Sequence, residues 1–167
     1  SRISESLNYC FDKMPDGEVT VLIENTAGQG TNVGFRFEHL IGIIEGVEKK
    51  DRMGVCFDTQ HGFASGYDIR TEKGWKETFD EFDKTVDLKW LKAFHINDSK
   101  KEFGSRVDRH ESIGKGLLTM ETFWCLVNDD RFTELPMLLE TPVDDPSEYA
   151  VEIELLRGLV GSKKPAS

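Results

Sequence analysis

The sequence predicts an α/β fold, a TIM-type (β/α) barrel of which about four βα units, preceded by a helix, are present. Three observations predict it. Four short apolar runs recur along the 167 residues, amphipathic segments separate them, and each run ends on or beside an acidic residue or a histidine. Runs that are apolar on both faces suit strands of a parallel sheet with helices packed outside it.

Residues 1–14, SRISESLNYCFDKM, read as an opening helix, and EVTVLIE (18–24) as the first strand. FRFEHLIGIIEGVE (35–48) follows, its apolar residues three and four apart as on one helix face. The pattern repeats with MGVCFD (53–58) and GWKETFDEFDKTVD (74–87), then with WLKAFHI (90–96) and TMETFWCLVNDD (119–130). It closes with LPMLLE (135–140) and a last helix from Pro146 to Leu159. Aromatic residues at helical spacing (Phe35 and Phe37; Trp75, Phe79 and Phe82; Phe123 and Trp124) are expected mostly in the core.

NTAGQGTN and HGFASGYD read as loops with tight glycine turns, and HINDSKKEFGSRVDRH (95–110) as one long charged loop. No Pro/Gly/Ser linker divides the chain, so residues 1–160 are expected to form one domain and 161–167 a disordered tail. A β/α barrel has eight units and about 250 residues. Four units that start inside a helix therefore read as the second half of a barrel.

The net charge is −10, with 31 acidic against 21 basic residues. That balance excludes a nucleic-acid coat held by bulk charge, but not a protein that meets phosphate through metal ions and a few local cations. Lys100, Lys101, Arg106 and Arg109 do gather in the charged loop. Nothing is long and apolar enough to span a membrane and the first residues are no signal peptide. A soluble intracellular protein without a membrane partner is expected, in cytoplasm, nucleus or mitochondrion according to the organism. Cys10, Cys56 and Cys125 are widely spaced with no CxxC, as buried free thiols would be. The open edges of a four-stranded sheet predict self-association.

Glu24, Asp58, His95 and Glu140 stand at the four strand ends. In a parallel sheet these ends share one edge, the C-terminal face on which barrel enzymes do their chemistry. A single carboxylate there more often caps a helix or pairs with a lysine; four in register point instead to a metal site, because charge at the end of a buried run is costly unless paired or liganded. His61 follows Asp58 by three residues, and Asp108 and His110 form a D-x-H pair whose side chains project one way if extended. Asp and neutral imidazole are zinc-class ligands. The competing reading has His61 capping a loop and Asp108 paired with Arg106 or Arg109. His39, within RFEHLIGII, reads as a packed helical histidine. ENTAGQGTN could offer backbone N–H groups to a phosphate, although a tight turn explains its glycines more simply.

LIENTAGQG, RFEHL, GVCFDTQHGFASGYD, HINDSK, FGSRVDRHESIGKG and LLET, in this order and spacing, resemble the endonuclease IV family of abasic-site endonucleases from the first helix to about Leu159. The resemblance implies a trinuclear zinc enzyme that cleaves double-stranded DNA on the 5′ side of an abasic site and leaves a 3′-hydroxyl. It implies Glu24 as a carboxylate bridging two ions, and Asp58, His95 and Glu140 as further ligands of the second ion. His61, Asp108 and His110 would bind the third. Glu24 and Glu140 are the expected catalytic carboxylates, and Lys100, Lys101, Arg106 and Arg109 the expected DNA contacts. Two histidines of the family's first ion have no counterpart in this sequence, so an inactive fragment is one expectation for the chain alone. Two rivals stand beside the nuclease reading: a sugar isomerase or epimerase on a related barrel, and a non-catalytic zinc-binding fragment.

Overall fold

The computed structural model describes residues 1–165. Helix α1 (Arg2–Lys13) leads into β1 (Val21–Glu24), α2 (Phe37–Glu45), β2 (Met53–Asp58), α3 (Thr59–Ser65), α4 (Glu72–Val86) and β3 (Leu91–Ile96). A small excursion with β4 (Asp98–Ser99) and β5 (His110–Glu111) precedes α5 (Met120–Asn128), β6 (Met137–Leu139) and α6 (Glu148–Leu159). Strands β1, β2, β3 and β6 lie side by side in that order, all parallel, and form the expected arc of a β/α barrel. Helices α1, α2, α4, α5 and α6 touch in sequence along its outer side.

The core fills the layer between sheet and helices. Phe57 and Phe94 point outward from β2 and β3 into Trp75, Phe79 and Phe132, with ring centroids 4.8 Å apart for Phe79–Phe132 and 5.1 Å for Phe57–Phe79 and Phe94–Phe132. These edge-on and tilted contacts join α4 and the turn before β6 to the central strands. At the N-terminal end, Ser1 caps α1, buried Ser4 donates to the Ile43 carbonyl of α2 (3.0 Å), and the Arg52 guanidinium lies 4.4 Å from the Phe11 ring centre. The opening helix is thereby pinned to the barrel wall.

Several expectations change. The first strand is shorter than 18–24, and of the four parallel strands only β2 is buried throughout: β1 and β6 are edges, with Leu138 of β6 47% exposed, and β3 exposes Lys92. HGFASGYD is not a loop: residues 59–65 form α3, packed among buried groups and ended by Gly66 in the left-handed conformation. The stretch 95–110 is not one loop either, since β4 and β5 pair antiparallel and tie its ends together. Cys10 is exposed, unlike Cys56 and Cys125. Phe35 lies in a loop against Arg106 rather than in the core. Of the tail expected to be disordered, residues up to 165 are described and partly anchored: Ser162 accepts from Trp124 Nε1 (3.0 Å) and Lys164 pairs with Glu72 (3.0 Å). Ala166 and Ser167 lie outside the described residues. Among the described residues no helix is long and apolar enough to cross a membrane.

Candidate metal centre

The pleat and the register place the site. Glu24 is level with Cys56, and Asp58 with His95, so all four side chains leave the same concave face of the sheet near its C-terminal edge. Glu140 follows directly on β6 and joins them. One candidate group contains Glu24, Asp58, His95 and Glu140, with ligand atoms all within 4.8 Å of one another. A second contains Asp58, His61 and His110 within the same limit.

Asp58 serves both groups and is fully buried. As the N-cap of α3 it accepts the His61 N–H at Oδ1 (2.8 Å), and its Oδ2 accepts from Asn97 Nδ2 (2.6 Å). The Asn25 side chain brackets the Asp58 backbone, accepting its N–H (2.6 Å) and donating to its carbonyl (3.1 Å). Thr59 in turn donates to the Asn97 carbonyl (2.6 Å). Sequence reasoning missed Asn25, Thr59 and Asn97. The available signal was their position, one or two residues past a strand-end ligand, where a polar residue has no core to fill.

Glu24 Oε1 lies 3.0 Å from His61 Nδ1 and 3.2 Å from His95 Nδ1, and His95 Nδ1 lies 2.9 Å from Glu140 Oε2. These approaches are close but lack hydrogen-bond alignment, and both Glu24 Oε1 and His95 Nδ1 are buried atoms without a hydrogen-bond partner. Buried polar atoms are rarely left so. Converging on one point instead of on each other, they are arranged as ligands are.

In the second group the ring tautomers follow from the partners. His61 Nδ1 faces the Asn25 carbonyl (2.9 Å) and His110 Nδ1 the Glu140 carbonyl (3.2 Å). A carbonyl only accepts, so each Nδ1 carries the hydrogen and, in the neutral ring, each Nε2 presents a lone pair. The two Nε2 atoms are 3.4 Å apart, and Asp108 closes on both, with carboxylate oxygens 3.2 Å from His61 Nε2 and 3.5 Å from His110 Nε2. The Asp108 carboxylate thus pairs with histidines, not with Arg106 or Arg109, although Arg109 Nη1 donates to the Asp108 backbone carbonyl. All seven sequence-derived ligand candidates are brought together, and His39 stays on α2, accepting the Gly34 N–H (3.3 Å).

The electrostatics are those of crowded ligands. Burial would raise the Glu24 carboxyl, but His61 and His95 beside it outweigh this and hold it at about 2. Burial lowers His61, yet Glu24, Asp58 and Asp108 push it up to about 9. His95 is pushed up to about 11 by contact with Cys56 and then with Glu24. Asp58 shifts upward because burial outweighs its two neighbouring histidines. The carboxylates around His61, and Cys56 with Glu24 beside His95, thus favour the protonated rings of these two histidines. Imidazole nitrogens and carboxylate oxygens with both Nδ1–H groups anchored from behind fit a zinc-class ion.

The side chains of Lys100, Lys101, Arg106 and Arg109 are exposed. The Arg106 guanidinium lies 4.8 Å from the Phe35 ring centre, and Lys100 pairs loosely with Glu111 (3.7 Å). Gln29 accepts the Asp108 N–H (2.9 Å), so the glycine loop after β1 serves to hold the DRH segment. Its own N–H groups are partly spent internally, Thr26 on Gly34 and Asn32 on Gln29.

A family model described as a xylose isomerase-like TIM barrel matches residues 1–159. A protein named probable endonuclease 4 from Geobacter sp. (strain M21) is 51% identical over 160 residues, which are 95% of this chain and 56% of that protein. A protein of the same name from Citrifermentans bemidjiense gives the same identity and coverage, 51%, 95% and 56%. The crystal structure of endonuclease IV from Thermus thermophilus matches with a TM-score of 0.82 and 31% identity, over 95% of this chain and 56% of that one. The chain spans about half the length of the curated relatives it matches. With strand order, strand-end ligands and these likenesses in agreement, the chain belongs to the xylose isomerase-like TIM barrel family, within its endonuclease IV branch.

Proposed function

We propose that this chain supplies the greater part of a zinc site for hydrolysing the DNA phosphodiester 5′ to an abasic site, leaving a 3′-hydroxyl. The observation that carries the reading is the second group, Asp58, His61 and His110, with Asp108 closing on both of its histidines, added to the strand-end carboxylates. A sugar isomerase needs the strand-end group but has little use for a third ion. Zinc ions held by these residues would supply Lewis acidity toward the phosphodiester and neutralise charge on its oxygens.

The protein's own part is to hold, orient and accept. Asn97 and the α3 N-terminus fix Asp58 between the two groups. Glu24, kept ionised by its histidines, remains a ligand. Glu140 is 45% exposed at the mouth and is the carboxylate able to take a proton from an attacking water. Lys100, Lys101, Arg106 and Arg109 would meet phosphates flanking the site.

The test is incision of a duplex carrying one abasic-site analogue, with zinc and with EDTA. It would use this chain and a chimera in which residues 1–160 replace the matching portion of the Geobacter relative. EDTA-sensitive incision 5′ to the analogue by the chimera is the expected result. Zinc binding without incision would favour a non-catalytic role, and sugar turnover instead of incision would favour an isomerase.

A further inference from the structure

The charged stretch contains a second buried carboxylate, Asp98, which neither candidate metal group includes. It follows His95 by three residues and looks, in sequence, as much a ligand as its neighbours. Its oxygens are already committed. Oδ1 accepts the N–H groups of Ser99 (2.7 Å) and Leu118 (2.9 Å), and Oδ2 those of Gly114 (3.0 Å) and Gly116 (2.9 Å).

Successive backbone N–H groups turned inward form a concavity for an anion. Here the segment SIGKGLL makes such a nest, and the anion is the protein's own side chain. The fit explains Gly116: a Cβ there would stand 2.4 Å from Asp98 Oδ1 and 2.5 Å from the Ser99 carbonyl oxygen. Only glycine lets the backbone come so close.

We propose that Asp98 is the positioning residue of the DRH segment, holding His110 and Asp108 opposite His61. Strand β5 is only two residues long, and its partner β4 contains Asp98 itself, paired with Glu111, while Ser99 pairs with His110. Two hydrogen bonds flank that ladder, Lys100 N–H to the Arg109 carbonyl (3.0 Å) and Leu117 N–H to the Ser99 carbonyl (2.8 Å). The chain on both sides of His110 is therefore gripped by residues 98–100, from 109 to 111 by the ladder and from 114 to 118 by the Asp98 carboxylate. Without that carboxylate, four N–H groups lose their acceptor, two of the bonds buried and two half-buried, the turn after β5 is released, and the short ladder alone must hold His110.

The significance for metal binding rests on His110 being a ligand, but the coupling of Asp98 to His110 is tested without metal. In the EDTA-treated protein, amide hydrogen exchange at Gly114, Gly116 and Leu118 and the imidazole nitrogen resonances of His61, His95 and His110 are recorded for wild type, D98A, D98N and G116A. Asp98→Ala is expected to speed exchange at those amides by roughly ten- to a hundredfold, the cost of removing a charged acceptor from each donor. It should also move the His110 resonances, with His95 and the far-ultraviolet circular dichroism unchanged. Asp98→Asn, which keeps one acceptor oxygen, should show a smaller effect of the same pattern. Gly116→Ala reaches the same contact from the opposite side and should reproduce D98A, which keeps the test available if D98A does not fold.

Faster exchange with unmoved His110 resonances would overturn the proposal, reducing Asp98 to a turn anchor. Unchanged exchange would overturn it as well. A cobalt titration on the same samples separates the two readings. If wild type binds no metal while His110 still moves in D98A, the metal reading falls and the positioning role stands.

Discussion

His61 and His110 face each other through their Nε2 atoms at 3.4 Å, each ring held from behind by a backbone carbonyl. Two neutral imidazoles cannot hydrogen-bond in this tautomer, because both inward nitrogens are acceptors. Something positive must stand between or beside them, a proton in the metal-free protein or an ion in the loaded one.

Removing one of the pair should separate ligand from bystander. His110→Ala is expected to weaken zinc binding at the second group by more than about a hundredfold, the upper end for losing even an outer partner. His39→Ala, on α2 and accepting only the Gly34 N–H, should leave it unchanged. Calorimetric titration with zinc checks both, and equal losses would undo this division of the histidines.

The same crowding predicts proton release. In the metal-free protein His61 titrates at about 9 and His95 at about 11, so both are protonated at neutral pH. Zinc needs their lone pairs, and its affinity should therefore rise with pH through about 9, as His61 loses its competing proton, and on toward about 11, where His95 loses its own. A raised histidine pKa stabilises the fold fully below its ordinary value of 6.5 and progressively less as pH climbs to about 9. Thermal melts with EDTA should show that His61-linked loss between those limits, and melts with zinc should not. Calorimetry in buffers of differing ionisation enthalpy would count the released protons; no release at about pH 7 would contradict the assignment.

Asn97 is the outer partner whose loss should be most instructive. Its amide donates to Asp58 Oδ2 at 2.6 Å inside a fully buried pocket. Asn97→Ala is expected to cost about 1–3 kcal/mol in stability and about ten- to a hundredfold in zinc affinity. Denaturant unfolding and zinc titration measure the two separately. A stability loss with intact affinity would make Asn97 a packing residue only.

The basic side chains make an ionic prediction. If Lys100 and Arg109 meet phosphates, replacing each with glutamine should weaken DNA binding across sequences. It should also flatten the salt dependence by about one unit of log–log slope per contact. An unchanged slope in fluorescence titrations at several salt concentrations would place DNA elsewhere.

The convergence of the strand-end candidates was legible in the sequence because buried parallel strands announce themselves as apolar runs, and a charged residue ending such a run stands out. The D-x-H pair was legible only in that company. Helix α3 was not, since His61 to Gly66 carries the glycines and small residues of a turn, and Asp58 hid a second role as its N-cap. The β4–β5 ladder is too short to leave any periodicity. Asn25 and Asn97 were silent because an amide has no charge to attract notice, although Asn25 holds the backbone and Asn97 the carboxylate of Asp58, the one residue both groups share. Cys10 and Leu138 sit in apolar runs yet are exposed, and only the placement of helix and edge strand reveals that.

The two edge strands, β1 and β6, give the site an adjustable medium. With Leu138 47% exposed on the concave face, solvent reaches the floor beneath the ligands, and attraction between ion and carboxylate is divided by a correspondingly high permittivity. Any chain that zips along either edge would drive that solvent out and deepen the electrostatic well. By reciprocity, a bound ion would then favour the zipped form by the same factor. Self-association through these edges is accordingly expected to strengthen when zinc is added. Sedimentation velocity with zinc and with EDTA reads that linkage directly, and identical distributions in both would dissolve it.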